Sequence, residues 1–222
     1  MKKIIGLEKG QKPALVVVEC QNLMTNPAYI DPENPGLTEQ VVTRGIIPKI
    51  NRLAAGFRAA KLPAIFCTIA ARPGFEGFSV NCLLAYQVVR RGQLIQGTSA
   101  AALNDDLVLG DRDIVTNRTA GMAIFTGTEL DTTLRRLSVE TVVLAGISSN
   151  IALPGSATEA VGLGYTVVLA EDCTAGGTAE THRVQVSMHL PFLATVTDSE
   201  SILAVIGSRS LQPQSDKDRI LS

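Results

Sequence analysis

A chain of 222 residues with 45% hydrophobic content is long enough to bury one sizeable core, so a single domain of moderate size is expected. Its 20 lysines and arginines nearly balance 21 aspartates and glutamates, and no block of like charge stands out, which argues against a nucleic-acid or acidic-surface partner. No apolar segment follows the lysines at the N-terminus and no apolar run approaches the ~18 residues of a membrane span, so a soluble, cytoplasmic protein with no membrane partner is expected.

Short runs rich in Val and Ile alternate with longer amphipathic segments, the pattern of βαβ units around a mostly parallel sheet. The first strand is expected at Ala14–Cys20, where an apolar run ends on Glu19. A helical segment follows over Leu37–Ala60, with Val41, Ile46, Ile50, Leu53 and Phe57 at helical spacing, and a second strand at Ala64–Ile69. Ala71–Gly110 carries Gly74, Gly77, Gly92 and Gly97 and one helix around Asn81–Arg90; so long an excursion from a strand end often walls a pocket. Then come a strand at Asp113–Thr116, a short helix over Thr128–Leu137 with Glu129 and Asp131 in its first turn, and a strand at Thr141–Ile147. A helix over Ala157–Leu163 ends at Gly164, a strand occupies Thr166–Ala170, a helix over Thr178–Leu190 stops before Pro191, and a last strand lies at Ala194–Thr197. The strand runs are continuous and not alternating, so helices cover both faces of the sheet. The fold class is therefore α/β, a three-layer α/β/α sandwich with a mostly parallel, Rossmann-like central sheet. The domain spans residues 1–207, and 208–222 form a polar tail that serves as a mobile end or an oligomer arm.

Ligands of open parallel sheets bind beyond the carboxyl ends of strands, where strand order reverses. Glu19 ends the first strand beside that point. A half-buried carboxylate there costs several kcal/mol unless it is paired, so it either serves the site or caps a loop and pairs with an arginine. The turn Gly146-Ile147-Ser148-Ser149-Asn150-Ile151-Ala152 joins a strand to a helix. It presents N–H groups able to hold an anion, or it is an ordinary βα turn. Cys20, Cys67, Cys82 and Cys173 lie far apart with no C-x-x-C pair, so neither a zinc site nor a disulfide framework is suggested. By alternation Cys20 faces away from Glu19 and belongs to the core, and nothing supports Cys67 or Cys82 as a nucleophile. His182 and His189 share one helical face and read as packing or surface residues; no histidine is placed by sequence to activate Ser148 or Ser149.

Three segments in this order carry a resemblance. They are Glu19-Cys20-Gln21-Asn22, Ala123-Ile124-Phe125-Thr126-Gly127-Thr128-Glu129-Leu130-Asp131, and Gly146 to Ala152, followed by Ala160, Gly162, Gly164-Tyr165 and Val168 to Asp172. From about Lys12 to Gly207 the chain resembles the isochorismatase-like cysteine hydrolase superfamily, which includes nicotinamidases, N-carbamoyl amidases and isochorismatases. The segments match its D-x-Q-N, S-A-F-x-G-T-x-L-D and G-V-x-T-x-x-C motifs and its A-x-x-x-G-Y-x-V-x-V-x-x-D spacing. The resemblance implies a site built from an Asp, a Lys and a nucleophilic Cys. Here the Asp position holds Glu19, the Lys position aligns with Thr119, and the Cys position holds Ala152. Arg118 would replace the cation were the loop shifted by one residue, although an arginine hardly exchanges protons. Asn22, Arg118, Ile147, Ser148 and Ile151 are expected around the bound molecule. The D-x-H metal pattern of nicotinamidases has no counterpart in Ala71–Asn81, so no metal and no cofactor is expected.

Without a thiol at Ala152, covalent acyl chemistry at that position is excluded. Isochorismatases of this superfamily also lack the cysteine and use their carboxylate on a vinyl ether. The reading is therefore a small-molecule hydrolase of a vinyl ether or C–N bond, non-covalent, with Glu19 as the acid/base. The alternative is a catalytically inactive member that binds a small ligand or partner through the same crevice. The family resemblance also implies a homo-oligomer.

Overall fold

The structure, a computed structural model, describes residues 3–30 and 36–210. Among these, six strands form one sheet: β1 (Pro13–Val18), β2 (Ala64–Ile69), β3 (Ile114–Arg118), β4 (Thr141–Ile147), β5 (Thr166–Ala175) and β6 (Thr195–Thr197). They lie in the order β3-β2-β1-β4-β5-β6, every pairing parallel. Strand order reverses between β1 and β4, so the crevice beyond their carboxyl ends is the ligand position of a doubly wound sheet.

The core explains why β1, β2 and β4 read as unbroken apolar runs: all three are buried along their whole length. Within β1, Leu15 and Val17 face one layer, with Ile46, Ile50, Leu53 and Phe57 of α3 (Ile46–Ala59) and Ile202 and Ile206 of α8 (Ser199–Ser210). Ala14, Val16 and Val18 face the other, with Leu130 and Leu134 of α5 (Leu130–Arg136) and Leu153, Ala157 and Ala160 of α6 (Ala152–Gly162). A sheet buried on both faces by two helical layers is the expected three-layer sandwich.

Boundaries differ from the expected ones for local reasons. The segment expected as one helix over Leu37–Ala60 is two, α2 (Gly36–Arg44) and α3, because Gly45 takes a left-handed φ of 59°. Pro48 and Pro154 sit in the first turns of α3 and α6, where a missing N–H leaves no helical bond unmade, so α6 begins at Ala152 and not at Ala157. β3 runs on to Arg118, and β5 runs through Glu171 and Asp172 to Ala175, past a register irregularity opposite Leu144 and Gly146. Two helices go beyond the expected elements. One is the single turn α1 (Asn22–Thr25). The other is α8, whose first turn is held by Asp198 accepting from Ser201 N–H at 2.7 Å, and which crosses the boundary set at Gly207. Residues 211–222 of the expected tail lie outside the described residues. The helix expected over Thr178–Leu190 is α7 (Ala179–Val184), capped by Thr178, followed by a π turn at Gln185–His189 and a 3-10 turn at Leu190–Phe192. In the excursion, α4 (Leu83–Arg91) ends at Gly92 in the left-handed region.

Two features fix the carboxyl end of β4. Gly146 pairs with Val18 of β1 at φ 102°, and a Cβ there would lie 2.2 Å from the Val18 carbonyl oxygen. Behind the turn that follows β4, Ser149 Oγ and His182 Nδ1 are hydrogen-bonded at 3.0 Å, and His182 Nε2 lies 2.8 Å from Glu171 Oε1. Arg44 of α2 donates to the same oxygen at 2.6 Å and to the Thr174 carbonyl at 2.8 Å. One chain of polar contacts thus ties α2, β5 and α7 to the turn. The hydrogen bond from His182 and the Arg44 charge outweigh partial burial and hold Glu171 down at about 2.

Gly146→Ala is expected to cost more than about 3 kcal/mol, read as a fall in the urea midpoint, since the obstacle is backbone and the φ is strained for any Cβ. Because Glu171 titrates below its ordinary value of 4.5, its contribution is present above that pH and lost as pH falls toward about 2. Urea titrations from about pH 5 to about pH 2.5 should show a steeper loss for the wild type than for Glu171→Gln, in line with that linkage.

Candidate active site

Glu19 leaves β1 in a left-handed turn, φ 54°, its N–H donating to the Cys67 carbonyl of β2 at 2.8 Å and its carbonyl accepting from Gln21 N–H at 2.7 Å. Gln21 is buried and clamps the end of β2 to the excursion. Its Oε1 accepts from Ile69 N–H at 2.8 Å, and its Nε2 donates to the Ile69 and Ala101 carbonyls at 2.9 and 2.6 Å. Asn22 does similar work one residue on, donating to the Ser99 carbonyl at 2.9 Å and to Asp105 at 3.1 Å. Both polar residues of the opening motif therefore hold backbone, and neither lines the cavity.

Glu19 is 8% exposed and its carboxylate accepts from Arg118 Nη2, while Arg118 is 3% exposed. Register explains the choice of partner. Extending β3 to Arg118 puts Arg118 on the same buried side as Thr116, with exposed Asn117 between them. Arg118 Nε donates to the Gly121 carbonyl at 3.3 Å, and Nη1 is buried with no hydrogen-bond partner among the described residues. Burial raises the Glu19 pKa above the ordinary carboxylate range, with the Arg118 charge pulling the other way. Thr119 is half-buried and is not among the residues that line the cavity.

The cavity itself has a volume of about 260 Å³. Glu19, Arg118 and the exposed Arg91 supply charge to a wall that is otherwise largely apolar, with Met24, Ile69, Val88, Leu94 and Met122 among its residues. Leu84, Ala85, Val88 and Leu94 come from the excursion, which walls the pocket as its length suggested. Ser148, Ile151 and Ala152 close the side at β4, whereas Ile147 is fully buried behind them. The Ile147–Ser148 peptide is cis, and Ser148 Oγ accepts from Ala152 N–H at 3.4 Å. The structure thus brings together Glu19, Arg118, Ser148, Ile151 and Ala152, and leaves Asn22, Thr119 and Ile147 outside the lining.

The network behind the turn has no signature in the sequence, because Ser149, Glu171 and His182 come together only through the extension of β5 and the start of α7. It places a histidine on Ser149, contrary to the sequence reading, in the order of a nucleophilic triad. Yet Ser149 is fully buried, does not line the cavity, and lies 2.6 Å from where a Cβ on Gly176 would stand. Such a hydroxyl positions the turn and reaches no substrate. His189 is exposed, in contact with Gln185 at 3.3 Å. Among the cysteines, Cys20, Cys67 and Cys173 are buried and Cys82 is exposed. Burial pushes Cys67 and Cys173 up to about 12 and Cys20 higher still. Among the described residues no group of three or more His, Cys, Asp or Glu side chains is arranged to hold a metal ion, and no helix is long and apolar enough to cross a membrane.

The model of the isochorismatase domain matches residues 13–201. The uncharacterized isochorismatase family protein YecD of Escherichia coli O157:H7 is 31% identical, across 86% of this chain and 94% of its own. The ureidoacrylate amidohydrolase RutB of Methylobacterium radiotolerans is 27% identical, across 90% of this chain and 81% of its own. The cysteine hydrolase structure from Pseudomonas syringae pv. phaseolicola 1448A superposes with a TM-score of 0.78 at 20% identity, covering 94% of this chain and 99% of that one, a likeness of fold. With its doubly wound sheet and a carboxylate at the end of β1, the chain belongs to the isochorismatase family, a family of hydrolases.

Proposed function

We propose that this protein hydrolyses a small molecule without a covalent thiol intermediate, using Glu19 as its acid/base group. The observation that carries the reading is the buried Glu19–Arg118 pair on the wall of an apolar cavity whose nucleophile position is Ala152. A carboxyl group whose pKa is raised by burial holds its proton more readily than a free carboxylate, which suits it to giving as well as taking one. For a C–N bond, Glu19 takes a proton from water as the hydroxide oxygen bonds to the carbonyl carbon. The proton then passes to the nitrogen as the C–N bond breaks, and Glu19 is returned ionised. For a vinyl ether, the same group in its acid form protonates the alkene carbon. Water adds to the resulting oxocarbenium carbon and gives its proton back to Glu19, and the hemiketal collapses to a carbonyl compound as the C–O bond breaks and the alcohol leaves. Arg118 occupies the place of the family cation and fixes the carboxylate, but a guanidinium hardly exchanges protons and takes no part in the transfers.

A second reading, a ligand-binding member without catalysis, is favoured by the missing thiol and by the engagement of Glu19 Oε1 with a cation that does not exchange protons. Turnover separates the two. In a screen of amides, carbamoyl compounds and vinyl ethers, Glu19→Gln should lower kcat on any active substrate by at least about 100-fold. Turnover unchanged by the substitution, or found with none of the three classes, overturns the proposal. A thiol titration of the folded protein with a disulfide reagent near pH 7 should modify Cys82 alone, with Cys82→Ser unreactive and its hydrolysis undiminished. Loss of hydrolysis in Cys82→Ser would instead point to thiol chemistry.

A further inference from the structure

Resting on the reading of the cavity beside Glu19 as the substrate site, we infer that Gln93 determines specificity there. The bound molecule carries, besides the group presented to Glu19, a second neutral group of carboxamide or urea type that pairs with the Gln93 side chain. Gln93 lines the cavity and is half-buried. Among the described residues its carboxamide has no hydrogen-bond partner. Neither atom of that carboxamide is shut away, since the one buried, unpartnered side-chain nitrogen or oxygen among those residues is Arg118 Nη1. Most other polar side chains of the lining are engaged. Glu19 and Arg118 hold one another, the Thr38 hydroxyl donates to the Met24 carbonyl at 3.1 Å, and Ser148 Oγ accepts from Ala152 N–H at 3.4 Å. Arg91 is exposed and is not free either. That leaves Gln93 and the Tyr29 hydroxyl to meet the polar remainder of a ligand, and of the two only the carboxamide offers a donor and an acceptor side by side.

The backbone that carries this side chain is pinned on both sides. Gly92 ends α4 in the left-handed region with its N–H on the Val89 carbonyl at 3.1 Å, and the Gln93 N–H reaches back to the Val88 carbonyl at 3.0 Å, closing the helix. One residue on, the Leu94 carbonyl accepts from Ala71 N–H at 2.7 Å, and the Ala71 carbonyl accepts from Gln96 N–H at 2.9 Å, which ties the segment to the chain just past β2. Leu94 itself is buried with Ile69 and Val88. A ligand meeting Gln93 is therefore spared the cost of ordering a loop. Solvation decides what the side chain selects. Much of the wall is apolar, with Phe78, Leu94 and Met122 among its residues, and an unpartnered carboxamide against it is disfavoured relative to a hydrocarbon of the same shape. Opposite Gln93 the same group donates to Oε1 and accepts from Nε2, so the penalty is met. A carboxylate uses the Nε2 donor alone and sets its charge against Oε1, while solvent and salt screen the pull of exposed Arg91. At about 260 Å³ the space takes a compact molecule, with its two polar groups close together.

The test uses the full chain and two probes of one shape, succinamide and isocaproamide, which differ in a carboxamide against an isopropyl group, with succinamate as the charged analogue. Each is titrated by ligand-observed NMR against the wild type, Gln93→Leu and Tyr29→Phe, every variant being checked for cooperative thermal unfolding. The wild type should bind succinamide at least as tightly as isocaproamide, and at least about tenfold more tightly than succinamate. Gln93→Leu should shift the ratio of the two amide affinities toward isocaproamide by at least about tenfold, because the second carboxamide then lies against hydrocarbon. Tyr29→Phe should leave that ratio unchanged. The inference is overturned if the wild type prefers isocaproamide, if it binds succinamate as tightly as succinamide, or if it binds none of the three. It is equally overturned if the ratio survives Gln93→Leu, as it would were the role merely structural, or if Tyr29→Phe moves it as far. Should a variant fail to fold, the wild-type comparison decides. Binding is read independently of turnover. Selective binding of succinamide with no hydrolysis of any class of compound would defeat the hydrolase reading alone, and hydrolysis without that selectivity would defeat this inference alone.

Discussion

A carboxylate and a guanidinium, drawn from strands with β2 between them, neutralise one another at the edge of an apolar crevice, and the site depends on that contact. Each charge alone would be costly: the penalty for removing an ion from water is several kcal/mol even after relaxation, and losing one partner strands the other. The left-handed turn at Glu19, the extension of β3 to Arg118 and the Gln21 clamp all serve to bring the two groups together under cover of the excursion. An apolar wall then makes the pair the principal electrostatic feature that a bound molecule meets, where its field is least diluted.

A second polar assembly lies on the far side of the β4 turn and has the opposite orientation. Arg44, Glu171, His182 and Ser149 bond among themselves, running from half-buried Arg44 and Glu171 inward to buried His182 and Ser149, and the hydroxyl that ends the chain is sealed beneath Gly176. The turn carrying Ser148, Ile151 and Ala152 is therefore gripped from behind while its front is free to meet a ligand. Satisfied polar networks of this kind specify one arrangement of backbone more sharply than packing alone. A site whose chemistry leans on hydrogen-bond geometry requires such a support.

Much of the architecture is legible in the sequence because burial on both faces leaves a plain signature: β2 and β4 lie at their expected ends, and the order of elements points to the family. The position of Glu19 follows from the end of the first apolar run. What the sequence does not reveal depends on contacts distant in the chain. Whether Arg118 or Thr119 faces Glu19 turns on a two-residue extension of β3, and with the twofold alternation of a strand one step reverses the answer. His182 and Ser149 are 33 residues apart, with nothing in their spacing to join them. Glu171 and Asp172 mask the end of β5, since charges inside a strand read as its end. For α8, the signal is present in Asp198 before Ile202 and Ile206 at a spacing of four, but its polar residues dilute it.

The contact of Gly146 with Val18 gives the crevice an asymmetric capacity for change. There β1 and β4 meet backbone to backbone, so the strand ends that carry Glu19 and Ser148 are held together by a contact that admits no side chain. Variation in what the pocket accepts has room in the excursion, with Leu84, Ala85, Val88 and Leu94, whose side chains can be exchanged without disturbing that contact. Chains with this same strand contact and differently furnished excursions can share one chemistry while taking molecules of different shape.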